Sequence, residues 1–290
     1  MTRIALFLAT NMAIMVVISL VFSLFGLSGT LQSNGVDLDL NALLVISMVV
    51  GVTGSVISLA MSKSMAKRSM GVQLIDQPQN STEQWLVSVV SKQAEKAGIG
   101  MPEVGIFNNP TPNAFATGMN KNNALVAVST GLLNAMGKDE VEAVLGHEVS
   151  HVANGDMITM ALMQGVVNTF VYFFASVIGH IVDRAILKNE RGHGIGYFVT
   201  QMIAQVVLSF LASMLVMWFS RYREFHADKG GADLAGKQNM IAALRALQRS
   251  HEPNDMPEEL AAFGINGGQV KRLFMSHPPL EKRIAALQNS

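Results

Sequence analysis

Apolar residues gather in four blocks along this chain, at roughly residues 4–27, 40–62, 157–182 and 197–219, with polar sequence between them. Each block holds about the 20 mostly apolar residues that a helix needs to cross a bilayer. The first is longer than the apolar part of a secretory signal and has no small-x-small cleavage site, so it reads as a retained anchor. The pattern therefore predicts two helical hairpins. One covers residues 1–62 and the other residues 157–219. Polar stretches at 63–156 and 220–290 are left to build a domain outside the bilayer.

The polar stretches have their own periodicity. Ser81 with Gln84 predicts a capping box ahead of "WLVSVVSKQAEKAG", an amphipathic helix stopped at Gly98. "EVGIF", "NAFATG" and "ALVAVST" predict three strands, the last two joined by a turn at "MNKNN". A short helix at "GLLNAM" and a longer one from Lys138 follow. "GLLNAMGKD" has the wrong glycine spacing for a phosphate-binding loop, and Asp139 stands where Ser or Thr is needed, so no nucleotide is expected. The fold class predicted is mainly α with a small β-sheet.

Composition sharpens the picture. Half of the 290 residues are hydrophobic and 14% are charged, against about 25% in ordinary soluble domains. The 21 basic and 21 acidic residues cancel, and no basic cluster carries interleaved aromatics, so nucleic acid is not an expected partner. The lipid bilayer is. The loop between the first two blocks carries Asp37 and Asp39 without Lys or Arg, while Arg3, Lys63, Lys67 and Arg68 lie beyond its two ends. The positive-inside rule then puts the polar domain in the cytoplasm. The second hairpin is less regular. Gln164, Asn168, Gln201 and Gln205 interrupt it, and its loop carries Arg184, Lys188 and Arg191. Either the first pair sets the orientation or the second pair does not fully span, and the first reading is preferred.

The chemistry lies in "HEVSHVANGD". On a helix His147 and His151 share one face, so both imidazoles can point at one metal. Glu148 is a quarter turn away and can reach a water at that metal. The chain has no cysteine, so a third ligand must be His, Asp or Glu. His180 and His193 belong to the far end of the second hairpin, and His251 to a loop near two prolines. In "SRYREFHADKGGADLA", Glu224 and Asp228 lie four apart on one face, and His226 points elsewhere. On spacing alone two readings stay open. Glu224 is the third ligand with Asp228 holding a ligand histidine, or the two form an acidic face paired with Arg221 or Lys229.

"HEVSHVANGD", "REFHAD", "PNAFATG" and "SHPPLEKRI", in this order among four apolar blocks, resemble the HtpX-type membrane zinc metalloproteases. These belong to a wider family that includes the type I CAAX prenyl proteases, and the likeness covers essentially the whole chain. It implies a zincin-type protease domain holding one Zn2+. It makes His147, His151 and Glu224 the ligands, Glu148 the base and Asp228 a neighbour of a ligand histidine. It places His277 near the metal, where donation to an oxyanion, a helix-capping turn and a latch on the metal are the alternatives, with Arg283 anchoring the turn. The strand Asn113, Ala114, Phe115, Ala116, Thr117, Gly118 would hold substrate by main-chain pairing. The resemblance implies protein substrates, chiefly damaged membrane proteins, cut at the cytoplasmic face of a bacterial inner membrane. Two competing readings are a site-2-type intramembrane protease and a non-catalytic scaffold with a relic site. Polar sequence on both sides of the motif opposes the first, and the retained Glu148 opposes the second.

Overall fold

The computed structural model describes residues 16, 20, 23, 24, 26, 29, 31, 33, 38–189, 192–250 and 277–290. Most of the first apolar block, Asp37, Arg191 and His251 lie outside the described residues. In chain order the elements are α1 (Leu40–Ser69), β1 (Gln73–Leu74), α2 (Ser81–Ala97), β2 (Glu103–Phe107), β3 (Ala114–Asn120), β4 (Asn123–Ser129), α3 (Thr130–Ala135), α4 (Lys138–Asn154), α5 (Asp156–Ile181), α6 (Ile195–Ala235), α7 (Lys237–Ser250) and α8 (Leu280–Gln288). A π-helical turn, Val182–Ile186, extends α5. The architecture is mainly helical with one small mixed sheet.

Three of these helices are long and apolar enough to cross a membrane: α1, α5 with its π turn, and α6. The chain divides into two compact units, one of residues 1–58 and 159–216, the other of residues 59–158 and 217–290.

In the first unit α1 and α5 meet through small residues. A Cβ on Gly51 would lie 2.5 Å from Thr169 Oγ1, and one on Gly165 would lie 2.7 Å from Ser55 Oγ. Only hydrogen at those positions lets the two backbones come so close, which is how helices pack where no hydrophobic effect drives them together. The hydroxyls nearby are satisfied on their own helices, Ser47 on the carbonyl of Leu43 and Thr169 on that of Gly165. Three of the four polar residues that break the apolar pattern are paired as well. Gln164 donates to Asn168 at 2.8 Å, and Gln201 to Ser176 Oγ at 2.8 Å. Phe198, Met202, Val206 and Phe210 are exposed along α6, an apolar surface of the kind that marks contact with lipid.

The second unit holds a four-stranded sheet in the order β1-β2-β4-β3. β2 and β4 are parallel; the other two pairs are antiparallel. The apolar run Ala124–Leu125–Val126–Ala127–Val128 is buried throughout, as an interior strand requires, so β4 is central and β3 lies at the edge. The two-residue strand β1 was not foreseen. α2 is capped one residue earlier than expected. Asn80 accepts from Glu83 N at 2.9 Å, and Glu83 reaches back to Gln79 N at 2.7 Å. Gly98 ends this helix in the left-handed region at φ 65°. Leu86, Val90, Val126, Leu145, Met240 and Leu244 form the centre of the core.

Candidate metal centre

α4 carries "GHEVSH" and ends at Gly155, whose φ of 63° turns the chain so that α5 begins at the next residue. The polar sequence after the last apolar block is not a separate helix. It continues α6 without a break to Ala235. Glycines bring this end of α6 against α4. A Cβ on Gly231 would lie 3.0 Å from His147 N, and one on Gly230 would lie 2.0 Å from Ser150 Oγ. That close approach sets Glu224 opposite both histidines.

His147, His151 and Glu224 offer ligand atoms within 4.8 Å of one another. The two Nε2 atoms are 3.1 Å apart, His147 Nε2 is 3.6 Å from Glu224 Oε2, and His151 Nε2 is 3.3 Å from Glu224 Oε1. Four ligands at zinc bond lengths of 2.0–2.1 Å form a tetrahedron with edges of about 3.3 Å. The observed separations fit that figure.

The hydrogen bonds agree. His147 Nδ1 lies 3.0 Å from Asp228 Oδ1, and His151 Nδ1 lies 2.7 Å from Asp156 Oδ2. Each Nδ1–H donates to its carboxylate, so each Nε2 presents a bare lone pair to the same point. Two facing lone pairs beside a carboxylate call for a cation. Burial alone would disfavour charge on either ring. Asp228 and Glu224 nevertheless hold His147 above its ordinary pKa, and Glu224 and Glu148 do the same for His151. Glu224 Oε2 is buried without a hydrogen-bond partner, although His277 Nδ1 at 2.7 Å and Arg283 Nη1 at 3.1 Å are close enough for ion pairing. The donors are two imidazoles and a carboxylate, the set of a catalytic zinc with a position left open.

Two members of this cluster were not assigned from sequence. Asp156 is the last residue of the polar sequence that follows the histidine motif. It starts α5 and also pairs with Arg223. Arg283, expected to anchor the turn at His277, also grips Asp228 through Nε at 2.8 Å and Nη2 at 2.5 Å. Burial opposes its charge, but Asp228 and Glu224 more than offset this and raise its pKa. The Asp156 signal was readable as a carboxylate five residues beyond the second histidine. That of Arg283 was not, because the pairing spans 55 residues.

A cavity of ≈ 800 Å³ opens at His147, lined also by Glu148, His277, Asn113, Ala114 and Leu244 among others. Asn113 and Ala114 at the start of the edge strand reach it, and Phe115, Ala116, Thr117 and Gly118 are not among its lining residues. Phe115 packs on Phe107 with ring centres 5.5 Å apart. His226 is exposed and turned to the carbonyl of Tyr222.

Comparison with known proteins gives the family. The family model described as Peptidase family M48 matches residues 80–290. Protease HtpX of Pseudoalteromonas atlantica is 65% identical over 288 residues, 99% of each chain. Protease HtpX of Thioalkalivibrio sulfidiphilus is 63% identical over 291 residues, again 99% of each. The crystal structure of S. mikatae Ste24p shares the fold at a TM-score of 0.59 and 16% identity, covering 95% of this chain and 67% of that one. With a matching family model over most of its length and relatives this close from end to end, the chain belongs to peptidase family M48, and it is a membrane zinc metalloprotease.

Proposed function

We propose that this protein is an endopeptidase of a bacterial inner membrane that cuts damaged or misfolded membrane proteins on the cytoplasmic side. His147, His151 and Glu224 would hold one zinc, Glu148 would act as base, and Asp228 would fix the His147 tautomer. The observation that carries this reading is that Glu148 and His147 line the same cavity as the start of an edge strand.

Bound zinc supplies Lewis acidity, polarising the scissile carbonyl and acidifying the attacking water. Glu148 accepts a proton from that water and delivers it to the leaving amine. Ala114, next to Asn113, starts β3, which among the described residues pairs along one side only, with β4. A peptide added along the other side would be held through its main chain, with little demand on its sequence. Such loose selection suits a protease that clears faulty proteins.

The placement in the membrane rests on the charge pattern and on helix continuity. Four spans with both termini inside would put the loop near Asp37 outside and the protease unit in the cytoplasm. The helix that ends in "REFHAD" is the same one whose apolar part would cross the bilayer.

A trapping experiment tests the function. Glu148→Gln protein expressed in a bacterium should retain uncut membrane proteins, and the wild type should not. Retention of soluble proteins alone would overturn the substrate class. Topology has a separate test, because the chain has no cysteine. A cysteine at Asp37 should react with an impermeant thiol reagent outside the cell, and one at Lys121 should not. The reverse labelling would invert the orientation.

A further inference from the structure

Histidine rings meet face to edge at a second place, far along the sequence from the catalytic motif. His180 stands in the last turn of α5, and His193 lies two residues before α6. Their Nε2 atoms are 3.0 Å apart, with ring centres 4.9 Å apart and planes at 77°. The catalytic pair shows nearly the same relation, at 3.1 Å, 4.6 Å and 87°. We propose that His180 and His193 form a second transition-metal site, one for a borderline dication such as Zn2+, Ni2+ or Cu2+, which clips the two ends of the α5–α6 connection together.

The chemistry of the pair supports a metal. His180 Nδ1 lies 2.8 Å from the carbonyl of Ser176, four residues back. A carbonyl accepts only, so the proton sits on Nδ1 and the Nε2 lone pair is bare. Imidazole suits Zn, Ni and Cu. Two nitrogens on bonds of 2.0–2.1 Å lie about 2.9 Å apart at a right angle and about 3.3 Å apart at the tetrahedral angle. The observed spacing falls between these values. Among the described residues no third His, Asp or Glu joins the pair, so water fills the other positions and the affinity is moderate.

The scaffold under the rings is built rather than accidental. Asp183, buried in the π turn, accepts from Asn189 Nδ2 at 2.9 Å and from Gly194 N at 3.0 Å. Arg184 donates to the carbonyl of Asn189 at 3.1 Å. His193 is thus held next to a backbone amide that is itself tied down. Tyr197 packs on both rings, at 4.6 Å from His180 and 4.3 Å from His193. No step of the proposed hydrolysis uses any of these residues.

The test uses the full chain in detergent, made without a polyhistidine tag and dialysed against micromolar Zn2+. The wild type should bind one equivalent more zinc than His193→Ala. Both should cleave casein at the same rate. Zinc should also raise the Tm of the wild type more than that of His193→Ala, since a bound ion stabilises by mass action. Electron paramagnetic resonance with Cu2+ on the protein carrying both His147→Ala and His151→Ala should show nitrogen coupling that His193→Ala removes. Equal zinc content in wild type and His193→Ala would overturn the site and leave an ordinary hydrogen bond between two neutral rings. Loss of casein cleavage in His193→Ala would overturn its independence from the catalytic centre.

Discussion

Asp156 Oδ2 lies 2.7 Å from His151 Nδ1, across the single left-handed residue Gly155 that separates α4 from α5. The first acidic side chain of one helix thus sets the tautomer of a candidate metal ligand in the last turn of the helix before it. Asp228 does the same for His147 from α6. Each imidazole therefore has its own carboxylate.

Replacing Asp156 by Ala removes the acceptor that keeps the His151 proton on Nδ1. Zinc affinity should fall by about 10–100-fold, the usual loss when the partner of a ligand histidine is removed. Asp156→Asn keeps an acceptor oxygen and should lose less. Competition against a chelator measures both, and unchanged affinity in Asp156→Ala would remove the residue from the site.

Glu148→Gln should lower peptide hydrolysis by at least about 10²–10⁴-fold, the contribution of a positioned base, with zinc content unchanged. Glu148 belongs to the cavity lining and is not one of the three clustered donors. Loss of zinc together with activity would make Glu148 a ligand.

Glu224→Ala should cost both zinc and activity, while His226→Ala should keep both, because His226 faces away from the cluster. Zinc analysis of the two purified variants decides this. Full zinc in the Glu224 variant would leave the site without its third ligand.

Much of this arrangement could be read along the chain, for definite reasons. His147 and His151 are one helical turn apart, so a periodicity argument puts them on one face. β4 shows its interior position as an unbroken apolar run. What could not be read depends on contacts between distant segments. The approach of α4 to α6 rests on Gly230 and Gly231, and a glycine pair in a polar helix gives no sign of which backbone it will meet. Arg283 looked like a local anchor because its partners, Asp228 and Glu224, are visible only once α8 is folded against α6. That the last apolar block and the polar stretch after it form one helix was not read either, since a change in polarity neither marks nor excludes a break in backbone hydrogen bonds.

Gly231→Ala tests the close approach of the helices. Its Cβ would come within 3.0 Å of His147 N and of Met240 Sδ. The sulfur can move, but the backbone of α4 cannot move without shifting His147. The variant should lose about 1–3 kcal/mol of stability, the range for overpacking a tight interior, together with zinc affinity. Denaturant melts of the zinc-free and zinc-bound protein separate the two losses. A stable variant with normal zinc binding would show that the helices have room to part.

His277 is the last group to place. Its side chain is 60% exposed, lines the cavity and brings Nδ1 to 2.7 Å from Glu224 Oε2. A carboxylate at that nitrogen is matched by a proton on Nδ1, so donation to an oxyanion from Nε2 needs the doubly protonated ring. Such a donor acts mainly as charge develops on the carbonyl oxygen. His277→Ala should then lower kcat by about 10²-fold with KM little changed. Zinc should stay, because all three ligands remain. If His277 serves instead to steady Glu224, zinc affinity should fall and saturating zinc should restore kcat. A capping role predicts near-normal kcat and a stability loss of about 1 kcal/mol. If His277 covers the open position of the metal, its removal should raise activity. Steady-state kinetics on a peptide substrate, with zinc measured on the same sample across a range of free zinc, distinguishes these outcomes. An unchanged kcat at full zinc would remove His277 from the reaction.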